Sequence, residues 1–140
     1  MRPMLVPAAI ALSAALAACA TAGTQENPGC RTMECVAIGE SQTAGAIVVT
    51  PLEVIEDSRC PVDAQCVWAG RVRVTSQLQL GHEVITVELD SSQPLHIDAG
   101  MLSIAEIAPD ASTKGSPISP KHYRFGFTFA PDIMDRPKTD

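Results

Sequence analysis

The chain has 140 residues, a formal net charge of −6, five cysteines and 4% aromatic residues. That length supports one domain around one core and hardly two. An acidic chain without a basic cluster is poorly suited to nucleic acid or to an anionic lipid surface.

At the N-terminus, Met1-Arg2-Pro3 leads into the apolar run 4–18 and then Cys19. A basic start, an apolar centre and a small-residue exit are the three parts of an export signal. The run of fifteen residues falls short of the ~20 that a bilayer-spanning helix requires. Leu16-Ala17-Ala18-Cys19 resembles the lipobox of bacterial lipoproteins. The resemblance implies a diacylglyceryl group on the Cys19 thiol, cleavage just before it, and an N-terminus carrying fatty acyl chains such as palmitate. An ordinary secretory peptide cut at an A-x-A-like site, with Cys19 incidental, is the alternative. One acyl chain anchors only marginally and two or more hold firmly, at about 0.8 kcal/mol per buried methylene. Ala20 and Thr21 follow the cysteine without an acidic neighbour, which by family analogy favours the outer membrane with the domain facing the periplasm. Cleavage of residues 1–18 from the 140 leaves 122, and loss of Arg2 takes the charge from −6 to −7. Membrane contact is therefore expected from the lipid on Cys19 and not from the fold.

Residues 19–36 read as the lipid-bearing cysteine and a flexible tether, small and polar with a Pro-Gly turn and no apolar period. Lipidation of Cys19 leaves four cysteines in two close pairs, Cys30/Cys35 and Cys60/Cys66. Oxidising surroundings would let both close. Local pairing is the simplest of the three connectivities, and either pair could instead stay reduced.

Residues 37–130 form the expected domain, and their apolar pattern has period two. The segment 46–56 (AIVVTPLEVIE) is rich in β-branched residues, with Pro51 marking an edge position or a bulge. In 71–80, Val72, Val74, Leu78 and Leu80 share a face with Ser76, opposite Arg71, Arg73, Thr75, Gln77 and Gln79. That is a half-buried strand. Gly81-His82 then predicts a type II′ hairpin into the strand 83–89. The segment 101–108 (MLSIAEIA) has some helical propensity, but its brevity and the flanking Gly100 and Pro109 favour strand. Tyr123, Phe125, Phe127 and Phe129 alternate with polar or small residues and are expected to pack in the core. Opposite them, Gly126 marks a close approach or a bulge. Residues 131–140, with two prolines and five charged side chains, read as a disordered tail. Short strands broken by turns predict an all-β fold, a small antiparallel β-sandwich, either immunoglobulin-like or a partly open barrel.

Residues 57–70 read DSRCPVDAQCVWAG. The DSRCPxxxxCVWAG pattern resembles the signature of a family of small bacterial secreted proteins and lipoproteins. PLEVIED (51–57) and PISPKHYRFGF (117–127) extend the resemblance over about residues 38–130. It implies fold and compartment, and it brings neither an activity nor catalytic residues. Physically the string reads as a cross-linked connection. A Cys60–Cys66 bridge closes seven residues, worth about 2–2.5 kcal/mol of chain entropy, and Pro61 restricts the loop further. Trp68 has the parity of Val72 and Val74 and is expected to point inward, against the disulfide. Asp57 and Arg59 are close enough to pair or to cap loop donors. The alternative, functional reading makes Asp57, Arg59 and Asp63 a small binding site on a locked loop. Two loop aspartates lack the ligand ladder of a calcium loop.

Catalytic patterns are missing. His82, His96 and His122 are scattered, without HExxH or metal-ligand spacing. His96 and Asp98 share strand parity, the ordinary picture of a surface histidine near a solvated acid. No GxSxG elbow, phosphate loop or dinucleotide fingerprint occurs. The expectation is a monomeric, non-enzymatic envelope lipoprotein of structural or binding character, with neither cofactor nor metal. Its partners would be the membrane, through Cys19, and an envelope protein. Two other readings are an inhibitor or accessory subunit presenting the 57–66 loop to an extracytoplasmic enzyme, and a small hydrolase.

Overall fold

Nine of the eleven residues from Ile47 to Asp57 and all nine from Val72 to Leu80 pair with each other, and this antiparallel pair anchors the structure. The computed structural model describes residues 29–97 and 100–132. The expected export signal with Cys19, most of the expected tether, Asp98 and residues 133–140 lie outside them. In chain order the strands are β1 (Val36–Ala37), β2 (Gln42–Ala44), β3 (Ile47–Asp57), β4 (Val72–Leu80), β5 (Glu83–Asp90), β6 (Leu95–Ile97), β7 (Gly100–Ala108) and β8 (Arg124–Pro131). One sheet has the order β1-β8-β7-β6 and the other β2-β3-β4-β5, with every pairing antiparallel. Neither sheet closes on itself, so the fold is an open all-β sandwich. The one helical element among the described residues is a 3-10 turn at Pro120–His122.

Period-two patterning delivers the core as expected. Val72, Val74, Ser76 and Leu78 are buried along β4, while Arg71, Arg73, Thr75, Gln77 and Gln79 face outward. Val72, Val74 and Leu78 meet Leu102, Phe125 and Phe127 of the other sheet in one apolar cluster. The Phe125 ring stacks on Tyr123 at 5.7 Å and on Phe127 at 6.2 Å. The Gly81-His82 link joins β4 to β5 with Leu80 opposite Glu83, and Gly81 adopts φ 60°. A positive φ at the first loop position is what the primed hairpin turns require.

Pro51 occupies both kinds of place that its chemistry permits. It lies past the three residues of β3 that pair with β2, and at a register shift in the β3–β4 ladder. A second shift follows at Ile55. Each bulge inserts an extra residue and rotates the strand, which turns Leu52 and Ile55 outward to 42% and 44% exposure. The sheets are also stitched directly. The Gln42 carboxamide accepts from Phe127 N at 2.9 Å and donates to Phe127 O at 3.4 Å, standing in for a neighbouring strand beyond the end of β1.

The N-terminal boundary differs from the expected one. Val36 and Ala37 form β1 on β8, and Cys35, only 2% exposed, is bridged to Cys30. The Cys30–Cys35 loop lies on Gly126, where a Cβ would come within 2.5 Å of Met33 Sδ and 3.0 Å of Cys35 Sγ. Residues 30–36, expected as tether, belong to the domain. Their polar sequence hid this because the backbone N–H groups of Arg31 and Thr32 are satisfied by the distant Glu106 carboxylate. At the other end, β8 continues through Pro131, opposite Gly100, so the strand extends past residue 130.

Candidate functional site

The 57–70 motif leaves β3 at Asp57 and rejoins the sheet at Val72. Its stem continues the ladder irregularly: Ser58 N donates to Arg71 O at 2.8 Å and Cys60 N to Ala69 O at 2.9 Å. Gly70 is required there. At φ 68°, a Cβ on it would lie 1.7 Å from Ser58 O. The Cys60–Cys66 disulfide closes the tip.

Asp57 and Arg59 do pair, in a two-pronged fork. Arg59 Nε donates to Asp57 Oδ1 at 2.9 Å and Nη2 to Oδ2 at 2.8 Å, while Nη1 reaches Pro109 O at 3.0 Å. Arg59 N adds a longer bond to Oδ1 at 3.3 Å, and Tyr123 Oη donates to Oδ2 at 2.7 Å. The Asp57 and Arg59 side chains are each only 16% exposed. Burial pushes the Asp57 carboxyl up, but the Arg59 fork, the Tyr123 hydroxyl and the Arg59 charge outweigh it and hold the group below the usual carboxylate range. Burial likewise opposes the Arg59 charge, and the bonds to Asp57 more than restore it. For Tyr123, burial and the Asp57 hydrogen bond and charge push the phenol up to about 12.

Asp63 has a different occupation. Its carboxylate accepts from Thr113 N at 2.9 Å, Thr113 Oγ1 at 2.6 Å and Ser112 Oγ at 3.3 Å, and these bonds hold it below the usual range. Val62 N donates to Ala111 O at 2.9 Å. The motif is thereby sewn to the β7–β8 connection. A depression of about 320 Å³ opens between them, lined by Asp57, Arg59, Ser112, Pro117, Ile118 and Tyr123 among others. Two of the three expected site residues line it; Asp63 pins its rim. Sequence reasoning missed the 109–119 side of the depression and the role of Tyr123, which it placed only in the core. The phenol itself was the available signal, since a buried Tyr hydroxyl usually has a partner.

Trp68 corrects a sequence expectation. It is not a core aromatic: it stands 75% exposed beside Val67 at 93%, and Val62 on the same loop is 71% exposed. Tyr123, Phe125 and Phe127 are buried at 5%, 0% and 2%. Parity counted back from Val72 fails because residues 67–71 are not strand and Gly70 turns the chain through positive φ. A glycine inside the counted stretch was the warning.

Among the described residues, Cys30, Cys35 and Glu106 form the one grouping with metal-ligand proximity. The two sulfurs are joined to each other, and Glu106 accepts from Thr32 N at 3.1 Å and Thr32 Oγ1 at 2.8 Å. The grouping is a capped disulfide loop. His82 and His122 are exposed, and His96 Nε2 meets Asp132 Oδ2 at 3.0 Å. The predicted neighbour of His96, Asp98, lies outside the described residues.

Fold and motif together define an acidic, disulfide-braced antiparallel β-sandwich with a bridged, tryptophan-bearing loop. Compared with known proteins, the chain matches no protein-family model, no curated protein and no solved structure.

Proposed function

We propose that this chain is a cell-envelope protein, anchored through lipid on Cys19, of non-enzymatic structural or binding character. One observation carries the reading. Of five cysteines, Cys30, Cys35, Cys60 and Cys66 are consumed in two disulfides, and the cysteine left over is the one that ends the lipobox-like LAAC string. Paired cysteines belong to an oxidising compartment, which an export signal supplies. The outer membrane, with the domain facing the periplasm, is the favoured address.

The non-enzymatic character is supported by the polar cluster. The lone-pair positions of Asp57 hold protein donors, Arg59 is spent on Asp57 and Pro109, and Tyr123 titrates far above neutrality. A general acid or base needs a pKa near the working pH and reach to a substrate proton; these groups brace the loop. The same occupation weakens a reading in which Asp57 and Arg59 are presented to an enzyme, because their removal would loosen the loop as well as any contact. Binding character rests instead on the exposed apolar side chains that the bridge holds in place.

The test is mass spectrometry of the mature N-terminus, together with membrane fractionation of the wild-type chain and Cys19→Ala. Acylated Cys19 and loss of membrane attachment in the variant are expected. An unmodified Cys19, or a mature chain lacking it, would overturn the reading.

A further inference from the structure

We propose that the Val67–Trp68 projection of the bridged loop is a membrane contact, dipping into the headgroup region of the bilayer to which the chain is anchored. The inference rests on the lipid-anchor reading and adds to it which face of the domain meets the lipid.

Trp68 is the chain's single tryptophan and is largely in water, as are Val67 and Val62. Isolated exposed apolar residues are ordinary, but a large aromatic held out by a braced loop marks a surface that meets something. The projection is short and pinned at both ends to one residue. Cys66 is bridged to Cys60, and Cys60 N donates to Ala69 O at 2.9 Å. Its side chains therefore enter an apolar environment with little further ordering cost.

The chemistry of the projection selects lipid. From Ala64 to Gly70 the loop carries no formal charge. Asp63, the one charge inside the bridge, is engaged with Ser112 and Thr113, and Arg59 below it is paired with Asp57. The Val67–Trp68 tip thus carries no charge of its own into the lipid, and the Asp63 carboxylate behind it is held by neutral donors. Tryptophan, with an apolar body and an indole N–H, favours the boundary between hydrocarbon and water. A net charge of −6, or −7 once Arg2 is removed with residues 1–18, gives no attraction to anionic headgroups, so the contact is apolar in origin. The sequence expectation that the fold itself avoids the bilayer followed from the missing basic cluster.

The start of the described chain lies on the same side of the domain. The described chain begins at Gly29, where a Cβ would lie 2.6 Å from Ala108 Cβ, and Arg31 pairs with Asp110 at 2.6 Å. The bridged loop docks on the same stretch, through Arg59 to Pro109 O and Val62 to Ala111 O. Both the tether's attachment and the tryptophan loop flank 108–111. From Cys19 to Gly29 the backbone can reach at most about 35 Å. That reach lets the end of the sandwich carrying Trp68, where the described chain begins, lie at the membrane.

Trp68, as the single tryptophan, reports on its own surroundings. The full lipoprotein would be reconstituted into phosphatidylcholine vesicles, with and without brominated acyl chains, and Cys19 acylation checked by mass spectrometry on the same sample. Emission at shorter wavelength than for exposed indole, strong quenching by bromolipid and several-fold protection from aqueous acrylamide are expected. These should hold equally at high salt and in vesicles containing phosphatidylglycerol. Acylated Cys19 with water-like Trp68 emission, open to acrylamide and untouched by bromolipid, would overturn the contact while leaving the anchor intact. Shielding that develops only when solubilised envelope proteins are added would assign the loop to a protein and equally overturn it. An unmodified Cys19 would remove the anchor reading, and with it the geometry on which this proposal stands.

Discussion

Tyr123 Oη donates to Asp57 Oδ2 across 2.7 Å, joining the residue just before β8 to the last residue of β3 in the opposite sheet. The bond completes the shell around a carboxylate already forked by Arg59, and it couples the bridged loop to the aromatic core through the Tyr123–Phe125 stack.

Tyr123→Phe keeps the stacked ring and removes that donor. A hydrogen bond to a charged acceptor contributes about 1.5–3 kcal/mol, so a loss of that order is expected in denaturant unfolding at neutral pH. The loss should shrink as the pH drops far enough to protonate Asp57. An unchanged unfolding midpoint at neutral pH would show that the bond contributes nothing.

Stability should fall on both flanks of the pH range, for opposite reasons. Asp57 titrates below its ordinary value of 3.8 in the folded chain, so the unfolded chain binds more protons in acid. Its contribution is complete above about pH 4–5 and is lost as the pH falls through the folded value. Glu56, Asp63, Asp90 and Glu106, all lowered by hydrogen bonds, act in the same direction. Tyr123 runs the other way: raised from 10.0 to about 12, its contribution is intact below pH 10 and is lost as the pH rises through about 12. Unfolding midpoints measured across pH should show both declines, with the alkaline one reduced in Tyr123→Phe. An identical alkaline flank in that variant would contradict the assignment.

Two glycines with similar backbone angles should respond differently to alanine. At Gly81, with φ 60° and nothing within 4 Å of a Cβ, Ala meets only left-handed strain, about 1–3 kcal/mol. At Gly70 it also meets Ser58 O at 1.7 Å, so Gly70→Ala should be the more destabilising in thermal melts. Cys60→Ser should lower the melting temperature as well, by the equivalent of about 2–2.5 kcal/mol. Equal melting of wild type under oxidising and reducing conditions would show that the bridges add no stability.

Ser76 points into the core at 0% exposure, and its hydroxyl has no partner among the described residues. Ser76→Ala removes a desolvated, unsatisfied group and is expected to stabilise the domain by about 1 kcal/mol. A lower melting temperature in the variant would point to a hydrogen bond that the buried hydroxyl makes in solution.

Where structure was written locally, the sequence sufficed. Alternation in 72–80 fixes one face of β4 because successive strand side chains point oppositely. Gly81-His82 specifies its hairpin because only a residue tolerant of positive φ fits there. The four alternating residues from Tyr123 to Phe129 announced their inward face, though Phe129 is only partly covered. Even the Asp57–Arg59 pair was legible, being two residues apart. What depended on distant chain was not. Glu106 captures the Arg31–Thr32 backbone from 74 and 75 residues away, drawing an apparent tether into the domain. Asp63 finds Thr113 across 50 residues, and Asp57 finds Tyr123 across 66. Trp68 lies near the boundary between the two kinds of information. Its neighbours in sequence supplied a parity, but the stem pairing with Ser58 and the positive φ of Gly70 set its direction. Periodicity carries no orientation through a residue whose backbone leaves the strand, and there the tertiary structure alone decided which side of the protein the tryptophan faces.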